Sequence, residues 1–569
     1  MHSSIGTACA RVAQSGARHG PGAALLAAAV GALACTMLRA HASPISLATA
    51  SAGPALQAAA AAGTPARIVP RFPITRYAVE GASLVPAARL EEALAAFAGP
   101  DRTFADIEAA AETVRAVYER AGFVSVQVTI PEQTLSAGVV RLKVEELRVA
   151  RIEVTETQFR SADNVRRAVP GLVEGRTPSD TELSAQLRLA NENPGRQMQV
   201  TMRTNPDGTL TAVLRVADRP PRIGQVSVDN TGTPSTGRMR LALALQHMNL
   251  LDRDIVGTAQ FQTSPRFLEE VRIASLSGRV PLYGRGLMLE ASAVHSSVDS
   301  GTVRTVAGDY LLASSGLNLS LRVLRLLPRW GTVEPRVWGG LESKLVQSSV
   351  QPAGGGPSLV PDIELRPVQL GLSAAWRGTA AAVSGQAVAF HNVPGSGRSA
   401  ASVFSLPGLR AGAEPRYTVV RAAASASHAW PAGTVQVSWS GQWTPDLLVP
   451  AEQFGLGGEG SVRGFDGRVA SGDRGQRLSV EWQTPARPWL EGSATELSWV
   501  AFLEGGQVRR LQSLPGEVSQ ATLAGTGVGI RLFRARSFSM RLDVGVVARA
   551  EGLSVPRTAF VHAGADYPF

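Results

Sequence analysis

The chain has 569 residues and a formal net charge of +10, with 56 Lys and Arg against 46 Asp and Glu. Its only lysines are Lys143 and Lys344, and its arginines are spread along the chain without a basic stripe, which argues against a nucleic-acid partner. Its only cysteines, Cys9 and Cys35, lie in a segment that we expect to be removed, which excludes disulfides, thiolate metal sites and a cysteine nucleophile from the mature chain.

Residues 1–42 are typical of a secretory signal peptide. Arg11 and Arg18 give a positive start, residues 22–38 are rich in Ala and Leu, and Ala40-His41-Ala42 is a cleavage site of the A-x-A type. A lipoprotein signal acylated at Cys35 is disfavoured because alanine stands three positions earlier, where leucine is expected. A transmembrane anchor is disfavoured because the apolar run is short and leads into the cleavage site.

Residues 43–70 are rich in Ala, Pro, Ser and Gly and are predicted to form a linker, with a short helix over residues 55–62 as an open alternative. No later run of about 18 apolar residues is found, so no spanning helix is expected in the mature chain. If the mature chain lies in a membrane, it must therefore form a closed barrel, because lipid offers backbone groups no other partners.

Residues 71–147 are predicted to form a compact α/β unit with the order βααββ. A strand is expected over residues 74–79 and a helix over residues 86–97. Thr103, with an aspartate three residues later, caps a second helix that Gly122 ends.

Residues 148–220 repeat the same order. A first helix is expected over residues 165–169, Ser179 caps the second, and two strands follow. Two tandem units of about 70 residues form an internal repeat, and each is too small to be an ordinary enzyme domain.

Residues 221–569 alternate strictly between apolar and polar residues, with Gly, Pro, Asp and Ser turns between the segments. A water-soluble sandwich gives the same alternation. A transmembrane barrel is favoured because the alternation continues to the last residue and because the polar face carries Glu481, Arg541 and Asp543, which suit a wet lumen. We therefore predict an all-β antiparallel barrel of about sixteen strands.

One stretch, residues 456–465, reads LGGEGSVRGF and sets a single arginine among glycines. It contains a G-x-G-x-x-G pattern, but no βαβ unit surrounds it, so a dinucleotide site is rejected. The flanking acids Glu459, Asp466 and Asp473 are interpreted as solvated charges rather than a glycosidase pair. No Walker A, G-x-S-x-G or H-E-x-x-H motif occurs and the histidines are scattered, so we predict no enzyme, no cofactor and no metal site.

Together these features resemble the TpsB family of two-partner secretion transporters, the ShlB/FhaC/HecB-like hemolysin activation and secretion proteins of the BamA superfamily. The resemblance implies an α+β part of two periplasmic POTRA domains, residues 71–147 and 148–220, followed by the sixteen-stranded barrel of residues 221–569. It implies a plug helix before them and a loop 6, about residues 451–475, folded into the pore. The implied location is the Gram-negative outer membrane.

The resemblance also implies functional residues. Loop 6 would be held in the pore by a latch whose arginine meets the acid of an F-x-D-x-G strand motif, here with Glu in place of Asp. Pro568 is unusual in a terminal strand, because proline has no backbone N–H to donate to the ladder, and it is expected to lie past the last paired residue. The implied residues are the latch Val462, Arg463, Gly464 and Phe465; the wall motif Phe502, Glu504 and Gly506; the POTRA residues Tyr118, Gly122, Phe123, Asn193, Pro194 and Arg196; and the terminal assembly signal Tyr567 and Phe569.

The function implied is export of a TpsA-type exoprotein, which POTRA domains recognise and which crosses the barrel unfolded without ATP. Other implied partners are outer-membrane lipid and, during biogenesis, periplasmic chaperones and the barrel-assembly machinery. A barrel-assembly factor of the same superfamily is the alternative, and two POTRA units rather than a longer array argue against it. A plain diffusion porin has no reason to carry the two α/β units. The cargo stays open between hemolysin, adhesin and contact-inhibition toxin.

Overall fold

The structure, a computed structural model, describes residues 70–569 apart from residues 135–137, 306–307, 514–516, 536 and 556–557. The predicted signal peptide, linker and short helix lie outside the described residues. The described chain consists of two α/β units followed by a large antiparallel β-barrel. Within these residues, no helix is both long enough and apolar enough to cross a membrane.

The first α/β unit has a three-stranded sheet in the order β2-β5-β4, with β2 parallel and β4 antiparallel to β5. Its helices pack against this sheet around the fully buried Tyr118, Leu142 and Val114. Its elements are β1 Arg71–Ile74, β2 Arg76–Glu80, α1 Ala87–Leu94, β3 Gly99–Thr103, α2 Phe104–Arg120, β4 Val126–Thr129 and β5 Val139–Glu146.

Two sequence predictions for this unit have different outcomes. The Thr103 cap is confirmed, because its hydroxyl and the Asp106 carboxylate form a complete capping box. The strand predicted over residues 74–79 is confirmed in part as β2, which begins only at Arg76. The chain breaks at Thr75, whose N–H donates to the Gly138 carbonyl at 2.7 Å, and β1 pairs instead with β3.

The second α/β unit has the sheet order β6-β8-β7, with β6 parallel and β7 antiparallel to β8. The predicted Ser179 cap is confirmed. The first helix predicted over residues 165–169 is misplaced, because Ser161 caps it and so starts it earlier. Its elements are β6 Val149–Thr155, α3 Ala162–Arg167, α4 Asp180–Ala190, β7 Arg196–Thr204 and β8 Leu210–Asp218.

The barrel contains sixteen antiparallel strands within the described residues and closes where the last strand pairs with the first. Two strands are interrupted, β16 with β17 and β23 with β24, and each pair continues along the same neighbour. A short helix, α5 Ala401–Phe404, lies in one loop.

The barrel strands are β9 Arg222–Asp229, β10 Arg240–Leu250, β11 Ile255–Ser264, β12 Phe267–Leu282, β13 Leu287–Thr305, β14 Gly308–Leu326, β15 Val333–Pro352, β16 Ile363–Leu365, β17 Pro367–Arg377, β18 Ala381–Asn392, β19 Tyr417–Trp430, β20 Gly433–Trp443, β23 Arg474–Gln483, β24 Arg487–Pro488, β25 Thr495–Arg509, β26 Gln520–Arg534, β27 Phe538–Glu551 and β28 Ala559–Pro568. Between β20 and β23 lies a separate hairpin of β21 Phe454–Leu456 and β22 Ala470–Gly472.

The alternation along each strand separates an apolar outside from a polar inside. Leu370 and Leu503 are 65% and 60% exposed, whereas Asp543 is 1% exposed. Apolar side chains are thus presented outward over the whole wall, as a barrel in lipid requires, and charges are turned into the lumen. The predicted transmembrane barrel is confirmed, and the sandwich alternative is rejected.

The barrel seam corrects the prediction for Pro568. This residue pairs with Gln225 of β9, and Phe569 beyond it exchanges two backbone hydrogen bonds of 2.8 Å with Gly224. Proline is tolerated here because the backbone N–H and C=O groups of successive residues in a strand point alternately to the two adjacent strands. Pro568 therefore faces the side of β27, whose pairing with β28 already ends at Asp566.

Candidate functional site

Loop 6 turns back into the barrel lumen. The structure places it over residues 444–473, between β20 and β23, with β21 and β22 as its antiparallel stem. At its tip, Gly464 has φ of +97° and packs on the backbone of β27. A Cβ on Gly545 of that strand would lie 2.5 Å from the Gly464 nitrogen, so only two glycines allow this approach.

Arg463 projects from this tip into a group of three carboxylates on the inner wall. Its Nη2 donates to Glu504 at 2.7 Å and to Glu481 at 2.8 Å, and its Nη1 donates to Asp543 at 3.1 Å. These acids lie on β25, β23 and β27, so one guanidinium joins three strands. Arg531 of β26 binds Asp543 from the other side at 2.6 Å and adds a second positive charge.

Glu504, the acid of the wall motif, contacts both the side chain and the backbone of Arg463. One carboxylate oxygen accepts from Arg463 Nε at 3.0 Å and from Nη2, and the other accepts from the Arg463 backbone N–H at 2.7 Å. The Arg463 guanidinium also lies 3.4 Å from the centre of the Phe502 ring, a cation–π contact. The predicted partners Arg463, Glu504 and Phe502 are thus brought together.

Apolar packing holds the same tip. Val462 and Phe465 are 0% and 2% exposed and belong to a buried cluster with Leu456, Val508 and Leu523. Gly506 of the wall motif lies in this cluster, because a Cβ there would meet the Leu456 side chain at 2.7 Å. The tip is therefore held by charge on one side and by hydrophobic burial on the other.

The prediction that Glu459, Asp466 and Asp473 are solvated is wrong for Glu459 and Asp473, whereas the Asp466 side chain is 36% exposed. Asp473 is fully buried and accepts from Arg410 Nη2 at 2.8 Å and from the backbone N–H groups of Leu448 and Leu511 at 2.9 and 2.8 Å. Asp466 pairs with an arginine at 3.1 Å, and the Glu459 side chain is 14% exposed and pairs with another. Each acid has a cation from a distant segment, which local sequence does not reveal.

A comparison with protein-family models shows to which family the chain belongs. Residues 211–532, more than half of the chain, match the model of the haemolysin secretion/activation proteins ShlB/FhaC/HecB. The chain belongs to this family. Residues 72–146 also match the POTRA domain of ShlB type, so the first α/β unit is a POTRA domain, here called POTRA 1. The second α/β unit has the same sheet topology and is called POTRA 2 below.

Two proteins of similar sequence are outer membrane transporters, which is consistent with this family. The chain is 25% identical over 473 residues to the outer membrane transporter CdiB of Escherichia coli O6:K15:H31 (strain 536 / UPEC), covering 81% of this chain and 76% of that protein. It is 26% identical over 449 residues to CdiB of Dickeya dadantii (strain 3937), covering 75% and 74%.

Solved structures show the same fold. CdiB from Escherichia coli matches with a TM-score of 0.74 and 20% identity, covering 95% of this chain and 98% of that one. CdiB from Acinetobacter baumannii matches with a TM-score of 0.69 and 17% identity, covering 96% and 98%. The protein is therefore an outer-membrane transporter of the two-partner secretion type, with its POTRA domains in the periplasm.

Of the predicted POTRA 1 residues, Gly122 lies where this domain meets POTRA 2, whereas Tyr118 and Phe123 belong to the POTRA 1 core. Gly122 has φ of +91°, and its carbonyl accepts from the Asp180 N–H of α4 at 2.7 Å. Phe123 packs on the POTRA 1 core, and the Tyr118 hydroxyl donates to Glu146 at 2.8 Å. Burial opposes ionisation of Glu146, but hydrogen bonds from Ser83, Leu84 and Tyr118 outweigh it and hold its pKa below the usual range.

Asn193 and Arg196 of POTRA 2 reach the barrel instead. Asn193 Nδ2 donates to the Met248 carbonyl at 2.7 Å, and Arg196 Nη1 lies 3.0 Å from Asp254, in the turn between β10 and β11. Arg160 binds the same carboxylate at 3.0 Å. The side chains of Arg160, Arg196 and Asp254 are at most 1% exposed, so this joint is a buried ionic cluster.

The sequence patterns did not single out Arg160 and Asp254 as functional residues. The closely spaced aspartates of residues 252–254, in the tight turn between two barrel strands, were the available signal. Their partners are about 90 residues away, as in the hydrogen bond from Arg160 to Asp254 that spans 94 residues. Pro194 lies beside this joint but makes no side-chain hydrogen bond. Within the described residues, no group of His, Asp or Glu side chains is arranged to hold a metal ion.

Proposed function

We propose that this transporter binds one large secreted exoprotein with its POTRA domains and conducts it, unfolded and without ATP, through the barrel to the cell surface. The observation that carries the proposal is the contact of Arg463 with Glu504, Glu481 and Asp543. A loop that is held inside a pore by ionic contacts is a removable obstacle, which a closed structural barrel does not need.

The POTRA sheets supply a means of cargo recognition. In the described part of the chain, β4 and β7 each pair with a neighbour on one side only. An edge strand presents unpaired N–H and C=O groups, to which an extended peptide adds as a further strand. An unfolded exoprotein in the periplasm offers such a peptide before it reaches the barrel.

The lumen beside loop 6 supports a path for an extended chain. A cavity of about 520 Å³ lies between the loop and the barrel wall, with Ala423, Ser440 and Gly441 on the wall side and Gly460 and Ser461 on the loop side. The same cavity is also lined by polar and charged side chains, among them Arg421, Arg468 and Arg477, so the space beside the loop is hydrophilic on much of its surface. Movement of loop 6 would join this space to the rest of the pore.

In this proposal, folding of the cargo outside the cell supplies the energy for transport. The periplasm holds no ATP pool, and folding of the exoprotein outside the cell removes it from the pore exit and gives the movement its direction. The latch needs only to yield to an incoming chain. Breaking one partner of a desolvated ionic cluster costs about 3–5 kcal/mol, less in a wet lumen.

The test uses the full-length protein with an affinity tag, expressed in its native cell with and without Arg463→Ala. Capture of one large exoprotein, which also disappears from the medium of the variant, supports the proposal. Capture of many unfolded barrel proteins, with a normal exoprotein level in the medium, would instead make the protein an assembly factor.

A further inference from the structure

The base of loop 6 carries a second buried charge of opposite sign. Glu452 lies in the turn that leads from β20 into the loop and is 4% exposed. One of its carboxylate oxygens lies 2.9 Å from Lys344 Nζ of β15, and the other lies 2.8 Å from Arg421 Nη2 of β19. Lys344 is one of only two lysines in the whole chain, and it takes no part in the ion pairs of Arg463.

The cluster around Glu452 is fully hydrogen-bonded. Arg421 Nε donates to Gln442 Oε1 at 2.8 Å, and Gln442 Nε2 donates to the backbone carbonyls of Glu452 and Asp473 at 2.9 and 3.0 Å. Gln442 therefore joins both ends of the loop to the wall. The cations of Lys344 and Arg421 also lie 5.7 and 5.2 Å from the centre of the Phe390 ring.

This cluster and the Arg463 latch are complementary in charge and separate in space. At the latch, loop 6 supplies the cation and β23, β25 and β27 supply the anions. At Glu452, the loop supplies the anion and β15 and β19 supply the cations. No residue belongs to both sets of ion pairs, so loss of one leaves the other intact.

We propose that Glu452, Lys344 and Arg421 form a second anchor of loop 6, so that the pore opens fully only when both ends of the loop are released. The inference rests on the proposed function, in which loop 6 closes the pore. Glu452 acts here as a positioning residue: it fixes the base of the loop at the wall, beside the cavity that Arg421 and Gln442 line. With the Arg463 latch alone released, the base still holds the loop across the lumen.

The experiment measures ion conductance of purified full-length protein in planar lipid bilayers. The variants are Glu452→Gln, Arg463→Ala and the double variant, with Glu290→Gln as a matched control. Glu290 pairs with Arg322 at 3.7 Å on the wall between β13 and β14, away from loop 6. A heat-dependent shift on gels verifies that each barrel is folded.

Glu452→Gln is expected to raise the time-averaged conductance about tenfold, the size expected for losing hydrogen bonds between charged groups. The control should behave as the wild type. Because the two anchors share no partner, the fold-change of the double variant should equal the product of the two single changes. Lys344→Met removes one of the two cations of this anchor and leaves Arg421 on Glu452, so it should raise conductance in the same direction by a smaller factor, and it replaces Glu452→Gln if that variant does not fold.

Three results would overturn the inference. If Glu452→Gln conducts as the control does while Arg463→Ala is leaky, the second anchor does not exist and the proposed function is unaffected. If the double variant conducts no more than Arg463→Ala, both contacts belong to one latch. If no variant is leaky, loop 6 does not close the pore, and the proposed role of Arg463 fails as well.

Discussion

Arg463→Ala is expected to leave the barrel folded and inserted but to abolish export. The substitution removes the cation from between Glu504, Glu481 and Asp543, of which two are 5% exposed or less. The lost stabilisation has an upper limit of about 3–5 kcal/mol, which lowers the ratio of latched to unlatched loop by a factor of roughly 150 to 5,000. Val462 still packs on the wall and Glu452 still holds the base, so the tip becomes mobile without leaving the lumen: ions pass more often, but the loop still blocks the exoprotein.

The assay compares exoprotein in the medium and in the periplasm, with the folded barrel counted by its heat-dependent shift on gels. Arg463→Lys serves as a matched control, since it keeps the charge but loses the planar fork that contacts three strands at once, and partial export is expected. Normal export by Arg463→Ala, at a wild-type level of folded barrel, would refute the assignment of Arg463 as a latch.

Three further predictions concern other residues. Glu504→Asp should keep export, because the charge remains beside Arg463, whereas Glu504→Gln should reduce it at least tenfold; equal secretion by both variants would show that the charge is irrelevant. Gly464→Ala forces a side chain into a backbone with φ of +97° and against β27, at about 1–3 kcal/mol, so export should fall without any change of charge, as secretion assays can show. Glu146 has a depressed pKa in the folded domain, so its stabilisation is complete above its usual value near 4.5 and is lost as the pH falls below that. Hydrogen exchange in POTRA 1 should therefore speed up in acid, and Glu146→Gln should remove that dependence.

A fourth prediction separates recognition from conduction. Deletion of residues 71–147 should stop export of the exoprotein, because β4 with its unpaired edge is lost, while the barrel still conducts ions in bilayers. Unchanged export by this variant would exclude POTRA 1 from cargo recognition. Loss of conductance together with export would instead indicate that the barrel needs POTRA 1 to assemble.

The parts of the fold that follow a local period could be predicted from the sequence. Strands such as β14 and β27 alternate so strictly that their two faces are evident, and Thr103 and Ser179 are recognisable helix caps. The Arg463–Glu504 contact was found through family motifs, since residues on a loop and a strand have no local relation. Lys344 and Glu452 were not linked, because their contact joins positions 108 residues apart and depends on closure of the barrel.

The strand edges explain the remaining errors. β1 is separated from β2 because the carbonyl of Gly138, far along the chain, accepts from the Thr75 N–H. Pro568 stays in the barrel because its neighbour β27 has already ended. In both cases the outcome depends on which backbone partner is present at one position, and a single segment of sequence carries no information about that partner.

The two joints of the periplasmic arm differ in the kind of contact that forms them. POTRA 2 is attached to the barrel by buried charged side chains, in which Arg160 and Arg196 share Asp254. POTRA 1 meets POTRA 2 through two hydrogen bonds: the Asp180 N–H donates to the Gly122 carbonyl, and the Val124 N–H donates to the Asp180 carboxylate at the surface. Bending between POTRA 2 and the barrel would leave buried charged side chains without partners. Bending between the two POTRA domains would only replace their hydrogen bonds with hydrogen bonds to water. We therefore expect the joint between POTRA 2 and the barrel to open less readily than the joint between the two POTRA domains.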